Sequence, residues 1–473
     1  MKSLVFKRTM TSLQVQEEIH RGFKSVCHDG PIHFLCAMKD NKLVESSIVQ
    51  LGGDDICGKR GAVYVYQDPK PVKLSSSVEE SSDTDLDELP NFPSNTPKIW
   101  KPKDDEMGVL ENADSCRMKF VCSLSLKEGV SHEVERVNIY SSVMTLFTMN
   151  REVILQEYPL QIRFRGERAV DVGGVSRDFF SAFYDAVYAK YCDGVSLLYP
   201  VVNPHVKTSE LKTLGLVISC GYLLSAVLPV RIAFPTLAAI LLAKSHDLPD
   251  HVMVDSFAGI LSAHDSAVIQ SACRKVEFKE PFSESLETNL LTVFSCFDCR
   301  QAPSVGTFSH VVRDISNYLF LRKPCAFIND VRAGIPSVHQ RFWKAMRCRD
   351  LYDLYRSMQA STAKVLSMLS ELSPSTPKEE VVLSYLRQYI GNMRQEELQI
   401  FLRFVTGSSV CTANPLLVTF NNLEGLARRP VAHTCGYTLE LSTSYASYSD
   451  FAQEFSSVLN TCQQDNLWNM DAV

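Results

Sequence analysis

The 473-residue chain is 45% apolar and 22% charged, enough apolar material for two or three separate cores. Its formal net charge of −6 and pI near 6.0 give no electrostatic reason to expect nucleic acid or a membrane as the main partner. The 15 cysteines are odd in number and scattered behind an N-terminus, Met1-Lys2-Ser3-Leu4-Val5-Phe6-Lys7-Arg8, that lacks an apolar signal core. They read as reduced thiols of a cytoplasmic or nuclear protein, not as a disulfide framework.

Residues 1–68 predict a small α+β domain. A helix begins near Thr11 and Gln14, which stand at capping-box spacing, and carries Leu13, Val15, Ile19 and Phe23. Strand-like runs follow at 32–36, 47–51 and 62–66, an order that a β-grasp fold would fit loosely. Cys27, His28, His33 and Cys36 crowd four possible ligands together, but their spacing is not that of a zinc finger, and no metal is expected. Residues 69–105 contain the run from Ser75 to Pro90, dense in serine and carboxylates and poor in large apolar groups. This predicts a disordered acidic linker, with hydroxyls suited to acid-directed phosphorylation.

Beyond the linker, Arg117–Leu124 reads as a strand and 137–156 as helix. The stretch from Ile162 to Phe180 then reads as a strand, a turn with paired glycines and an amphipathic helix carrying Phe179, Phe180, Phe183, Tyr184 and Val187. Asp171 is placed to cap that helix, and Gly173 and Gly174 permit backbone angles or approaches that a side chain forbids. The absence of a Gly-Lys-Ser/Thr sequence argues against a nucleotide site here. The apolar run 214–230, broken by Pro229 and containing Ser219, Cys220, Gly221 and Ser225, predicts a buried helix and not a membrane span. Helical spacing dominates 205–370, and Cys296-Phe297-Asp298-Cys299 has no second cysteine pair near it. A Ser/Pro break at 373–377 is a candidate hinge, followed by helices over 378–391 and from about Gln395, and a strand over 416–420.

The stretch from Arg428 to Leu441 holds the candidate nucleophile, Cys435, two residues after His433 and flanked by Arg428 and Arg429. A thiolate is the reactive form, and a neighbouring imidazole or cation raises its population.

Three stretches carry a family resemblance. Gly166-Glu167, Val170-Asp171, Gly173-Gly174 and Arg177-Asp178-Phe179-Phe180 form one; Phe404-Val405-Thr406-Gly407-Ser408 is the second; Ala432-His433-Thr434-Cys435, with Leu439, Leu441 and Tyr445, is the third. Together they resemble HECT-type ubiquitin-protein ligases over roughly residues 130–473. The Ala-His-Thr-Cys-Gly form and the Trp468-Asn469-Met470-Asp471 ending are most similar to the G-two/M-phase-specific ligase-like subgroup.

The resemblance implies a bilobal α+β module, with a large, mainly helical N-lobe over 106–372, a hinge at 373–377 and a small C-lobe over 378–473. It implies a ubiquitin thioester on Cys435, with His433 assisting, formed with a ubiquitin-conjugating enzyme and passed to a lysine of a protein substrate without a cofactor. Glu440, Asp450, Asp465 and Asp471 are all candidates to assist lysine attack. Gly436 where phenylalanine is usual, and an altered tail with Trp468 where phenylalanine is commoner, leave open a ubiquitin-system binding protein of the same fold without transfer activity; Ser442, where proline is usual, is a further departure from the family pattern. A cysteine hydrolase is the third alternative, and no local motif supports it.

Overall fold

The computed structural model describes residues 106–464, apart from 125, 168–170, 202, 204, 243–247 and 370–373, together with the backbone of three strands near the N-terminus. The chain divides into two compact units, 1–95 and 96–473. In the first, β1 (Ile32–Ala37) is the centre of an antiparallel sheet between β2 (Leu43–Glu45) and β3 (Val63–Gln67). Two of the three expected strand runs therefore appear, within β1 and β3. The helix from Thr11, the strand at 47–51, the side chains of Cys27, His28, His33 and Cys36 and the acidic stretch lie outside the described residues.

The second unit opens with α1 (Glu106–Ser123), which corrects the strand expected at Arg117–Leu124. Its buried positions, Val109, Leu110, Arg117 and Val121, recur at helical spacing, and Arg117 donates to the Leu223 carbonyl at 2.8 Å. The β-prone run Phe120-Val121-Cys122 yields to this tertiary packing.

Parallel strands β4 (Ser131–Val134) and β5 (Gln161–Phe164) are joined through α2 (Ile139–Met149) and α3 (Arg151–Ile154), in the span expected to be helical. Next comes α4 (Gly174–Tyr191), which buries all five of its expected apolar residues, with Phe179 and Phe180 against Phe147 of α2. A short hairpin, β6 (Cys192–Gly194) and β7 (Leu198–Pro200), leads to α5 (Thr208–Ser225), whose residues from Leu214 to Leu223 are buried. Among the described residues no helix is long and apolar enough to cross a membrane.

Among the described residues nine further α-helices follow up to residue 368, in order α6 (Phe234–Leu241), α7 (Asp250–Ile260), α8 (Ala263–Glu277), α9 (Glu284–Ser295), α10 (Phe308–Asn317), α11 (Cys325–Gly334), α12 (Ser337–Ala345), α13 (Cys348–Met358) and the short α14 (Thr362–Met368). Helices α7 to α10 enclose a core of their own around Phe257, Ile269, Phe294, Phe308 and Phe320.

The break expected at 373–377 is described from Pro374. Thr376 and Glu379 form a capping box and Pro377 is the first residue of α15 (Pro377–Gly391), so the end of the break is already a helix start. After α16 (Gln395–Thr406) come β8 (Leu417–Asn421), β9 (Val431–His433) and β10 (Thr438–Ser442), then α17 (Tyr448–Gln464). The sheet order is β8-β10-β9, with β8 parallel and β9 antiparallel to β10. The chain is thus a mixed α+β protein, and the buried side chains of 382–459 are continuous with those of 110–369.

Candidate active site

Cys435 stands at the tip of the β9–β10 hairpin. In the antiparallel register His433 faces Thr438 and Val431 faces Glu440, and the three residues Thr434–Gly436 between the strands form a single 3-10 turn. Thr434 is buried and Cys435 exposed. Tyr437, at φ +53, takes the left-handed conformation that closes the turn. Gly436 does not: it lacks a positive φ, and an added Cβ would meet only Thr438 Oγ1, at 3.3 Å. A side chain at this position therefore needs only the Thr438 hydroxyl to shift slightly.

Alternation along β10 buries Leu439 and Leu441, 1% and 0% exposed, and turns Glu440 to the other face. There Glu440 lies 3.4 Å from His433 Nε2, and Asn421 of β8 donates to its second oxygen at 2.8 Å. The Asn421 hydrogen bond, then the one from His433, holds this carboxyl below the usual carboxylate range. Of the four candidate carboxylates, Glu440 is the one on the nucleophile hairpin. Asp450 begins α17 and is engaged elsewhere, while Asp465 and Asp471, with Trp468, lie outside the described residues.

The positive potential expected from Arg428 is taken up by carboxylates. Its guanidinium grips both oxygens of Asp450, at 2.9 and 2.6 Å, and reaches Glu454 at 2.7 Å, fastening the entry to β9 onto α17. Arg428 thus anchors the segment instead of serving the sulfur.

The cation that does approach the turn was not among the expected site residues. Asp171 accepts from the N–H groups of Gly173 and Ser176, at 2.8 and 3.2 Å, capping the start of α4 as expected. Gly173 adopts φ +101, and a Cβ on Gly174 would come closer than 3.0 Å to the Thr434 hydroxyl and 3.2 Å from the Cys435 nitrogen. One turn along, Arg177 Nε donates to the Thr406 carbonyl at 2.8 Å and its Nη2 to the Thr434 carbonyl at 2.7 Å, with the guanidinium 4.5 Å from the Tyr437 ring centroid. Gly407, at φ +75, ends α16 against the backbone of Gly174.

Behind this contact Asp178, fully buried, accepts from Arg136 at 2.5 Å and from Arg403 of α16 at 2.6 Å, and Arg403 also reaches Asp185 at 3.0 Å. All three sequence stretches that carried the resemblance therefore meet at one place. Arg177 was legible as part of a motif; its contact with a carbonyl 257 residues away was not.

Among the described residues twelve cysteines carry free thiols, and Cys116, Cys122, Cys296, Cys325 and Cys435 are exposed. Burial pushes Cys273 and Cys411 up to about 11 and Cys192 and Cys348 up to about 12, which disfavours their thiolates at neutral pH. Cys296 donates to the Thr292 carbonyl in the last turn of α9. No group of three or more metal-ligating side chains is found among the described residues.

Residues 308–465 match the family model described as HECT-domain (ubiquitin-transferase), a span that includes Cys435 and leaves the Gly173-Gly174 turn outside. The match supports a HECT-type ubiquitin ligase over that part of the chain. No curated protein matches the chain.

Proposed function

We propose that the chain is a HECT-type ubiquitin-protein ligase, akin to the G-two/M-phase-specific ligase-like subgroup. Ubiquitin passes from a ubiquitin-conjugating enzyme to Cys435 and then to a lysine of a protein substrate. In the first step the Cys435 thiolate attacks the donor thioester: a new sulfur–carbon bond forms, the old one breaks, and the conjugating enzyme leaves as a thiolate. One thioester replaces another, so the step needs an exposed thiolate more than a driving force. In the second, a deprotonated lysine amine attacks the same carbonyl and Cys435 leaves. Glu440, whose hydrogen bonds favour its ionised form, and His433 beside it are the hairpin's groups suited to receive the amine's proton.

In this reading the N-lobe is 106–372 and the C-lobe 378–473, moving about 373–377, with 69–105 a linker and the small α+β domain 1–68, or other proteins, choosing the substrate. The protein works in the cytoplasm or nucleus. The observation that carries the proposal is an exposed Cys435 at the meeting point of the three HECT-like stretches, within a span that matches that family. The test is incubation with ubiquitin, activating enzyme and a panel of conjugating enzymes. A ubiquitin adduct that reductant removes is expected, lost in Cys435→Ala and converted to a reductant-resistant ester in Cys435→Ser. Binding of a conjugating enzyme without any adduct would instead leave a non-catalytic binding protein.

A further inference from the structure

The turn that carries Cys435 is gripped by one side chain from a distant helix. Arg177 is 8% exposed, and the two donors described above go to main-chain carbonyls, Thr406 and Thr434. A guanidinium taken out of water to serve neutral carbonyls is a weak device for stability, because desolvation offsets much of the gain. It is a good device for geometry, since the planar fork fixes two acceptors at once, which an ammonium cannot do.

The Thr434 carbonyl and the Cys435 N–H belong to one planar peptide unit. Fixing that carbonyl therefore fixes the direction of the Cys435 N–H and the point from which its side chain departs. The same guanidinium lies over Tyr437, at the other end of the turn, so both ends of the segment bearing the thiol are held from one place. Gly174 lets α4 come close enough for this, and the Asp178–Arg403–Asp185 set fastens α16 to α4 behind it.

We infer that Arg177 is a positioning residue for Cys435, setting the orientation of the nucleophile turn from α4, outside the span of the family match. The inference rests on the ubiquitin-transfer reading for its consequence, but its geometric content is independent of that reading. Misplacing a reacting group by about an ångström costs on the order of a hundredfold in rate. Arg177→Ala lowers the single-turnover rate of Cys435 adduct formation by about tenfold to a hundredfold at saturating donor, with half-saturation unchanged. Arg177→Lys keeps the charge but loses the fork and falls between. Tyr437→Asn, which keeps a residue tolerant of left-handed φ, gives a smaller loss.

The experiment pairs that rate, in the full chain, with backbone hydrogen exchange of the same variants. Faster exchange over 431–438 in Arg177→Ala, with 179–191 still protected and adduct formation slowed, is the expected result. Unchanged exchange over 431–438 overturns the positioning claim whatever the rate does. Faster exchange with adduct formation at the original rate overturns its bearing on transfer. If the unaltered chain forms no adduct, the ubiquitin-transfer reading fails instead, and the exchange data still decide whether Arg177 orients the turn.

Discussion

Replacing Gly407 by alanine tests whether the end of α16 is pressed against the start of α4 as closely as described. Two costs follow from the geometry. Gly407 sits at φ +75, where a residue with a Cβ loses about 1 kcal/mol relative to glycine. The new Cβ would also come closer to the Gly174 carbonyl oxygen than the 3.0 Å that real Cβ atoms keep, and within 3.4 Å of the Gly174 Cα. That neighbour is backbone in the first turn of a buried helix, so no rotamer change relieves the overlap, and forcing it open adds about 1–3 kcal/mol.

Gly407→Ala should therefore destabilise residues 96–473 by about 2–4 kcal/mol, seen as a lower urea midpoint with an unchanged slope in far-ultraviolet circular dichroism. Gly391→Ala is the control: Gly391 ends α15 without a positive φ and with nothing within 4 Å of an added Cβ. It should be neutral or slightly stabilising, since alanine favours helix by about 0.8–1.0 kcal/mol over glycine. Equal midpoints for the two variants would refute the close approach.

Asp178→Asn leaves Arg136 and Arg403 facing a neutral partner in a buried site and should cost about 3–5 kcal/mol, so a loss below about 1 kcal/mol would remove the network from the account. Burial holds the His339 ring at about 4 in the folded protein, against an ordinary value of 6.5. The unfolded chain takes up that proton as pH falls through 6.5 and the folded chain does not. Stability from this group is thus complete above about pH 6.5 and falls by about 3 kcal/mol on the way to pH 4, a slope that His339→Gln should flatten. An unchanged slope in that variant assigns the acid sensitivity elsewhere. Gly436→Phe should fold with a urea midpoint lowered only slightly and still form the ubiquitin adduct, since the one close neighbour of an added Cβ is the Thr438 hydroxyl, a side-chain atom that can shift; loss of folding would contradict that geometry.

What could be read from the sequence was short-range. The aromatic stripe of α4, the Asp171 cap, the paired glycines and the alternation of Leu439 and Leu441 depend on residues a few positions apart, and each has its expected role. The errors share one cause. Arg117–Leu124 has the local composition of a strand, but Arg117 and Val121 are held on one face of a helix by contacts with distant segments such as Leu223. Arg428 looked like positive potential for the sulfur because Asp450 and Glu454 come later in the chain and on another element. Arg177 could be read only as a motif residue because Thr406 and Thr434, the groups it serves, are main-chain carbonyls and have no side-chain signature.

The central claim is that Cys435, and no other thiol, carries ubiquitin. Its most direct test is to trap the adduct formed by the full chain with a charged conjugating enzyme and map the linked cysteine by mass spectrometry. The account predicts a reductant-sensitive bond to Cys435 alone. A bond to Cys116, Cys122, Cys296 or Cys325, the other exposed thiols among the described residues, or an adduct that persists in Cys435→Ala, would contradict it.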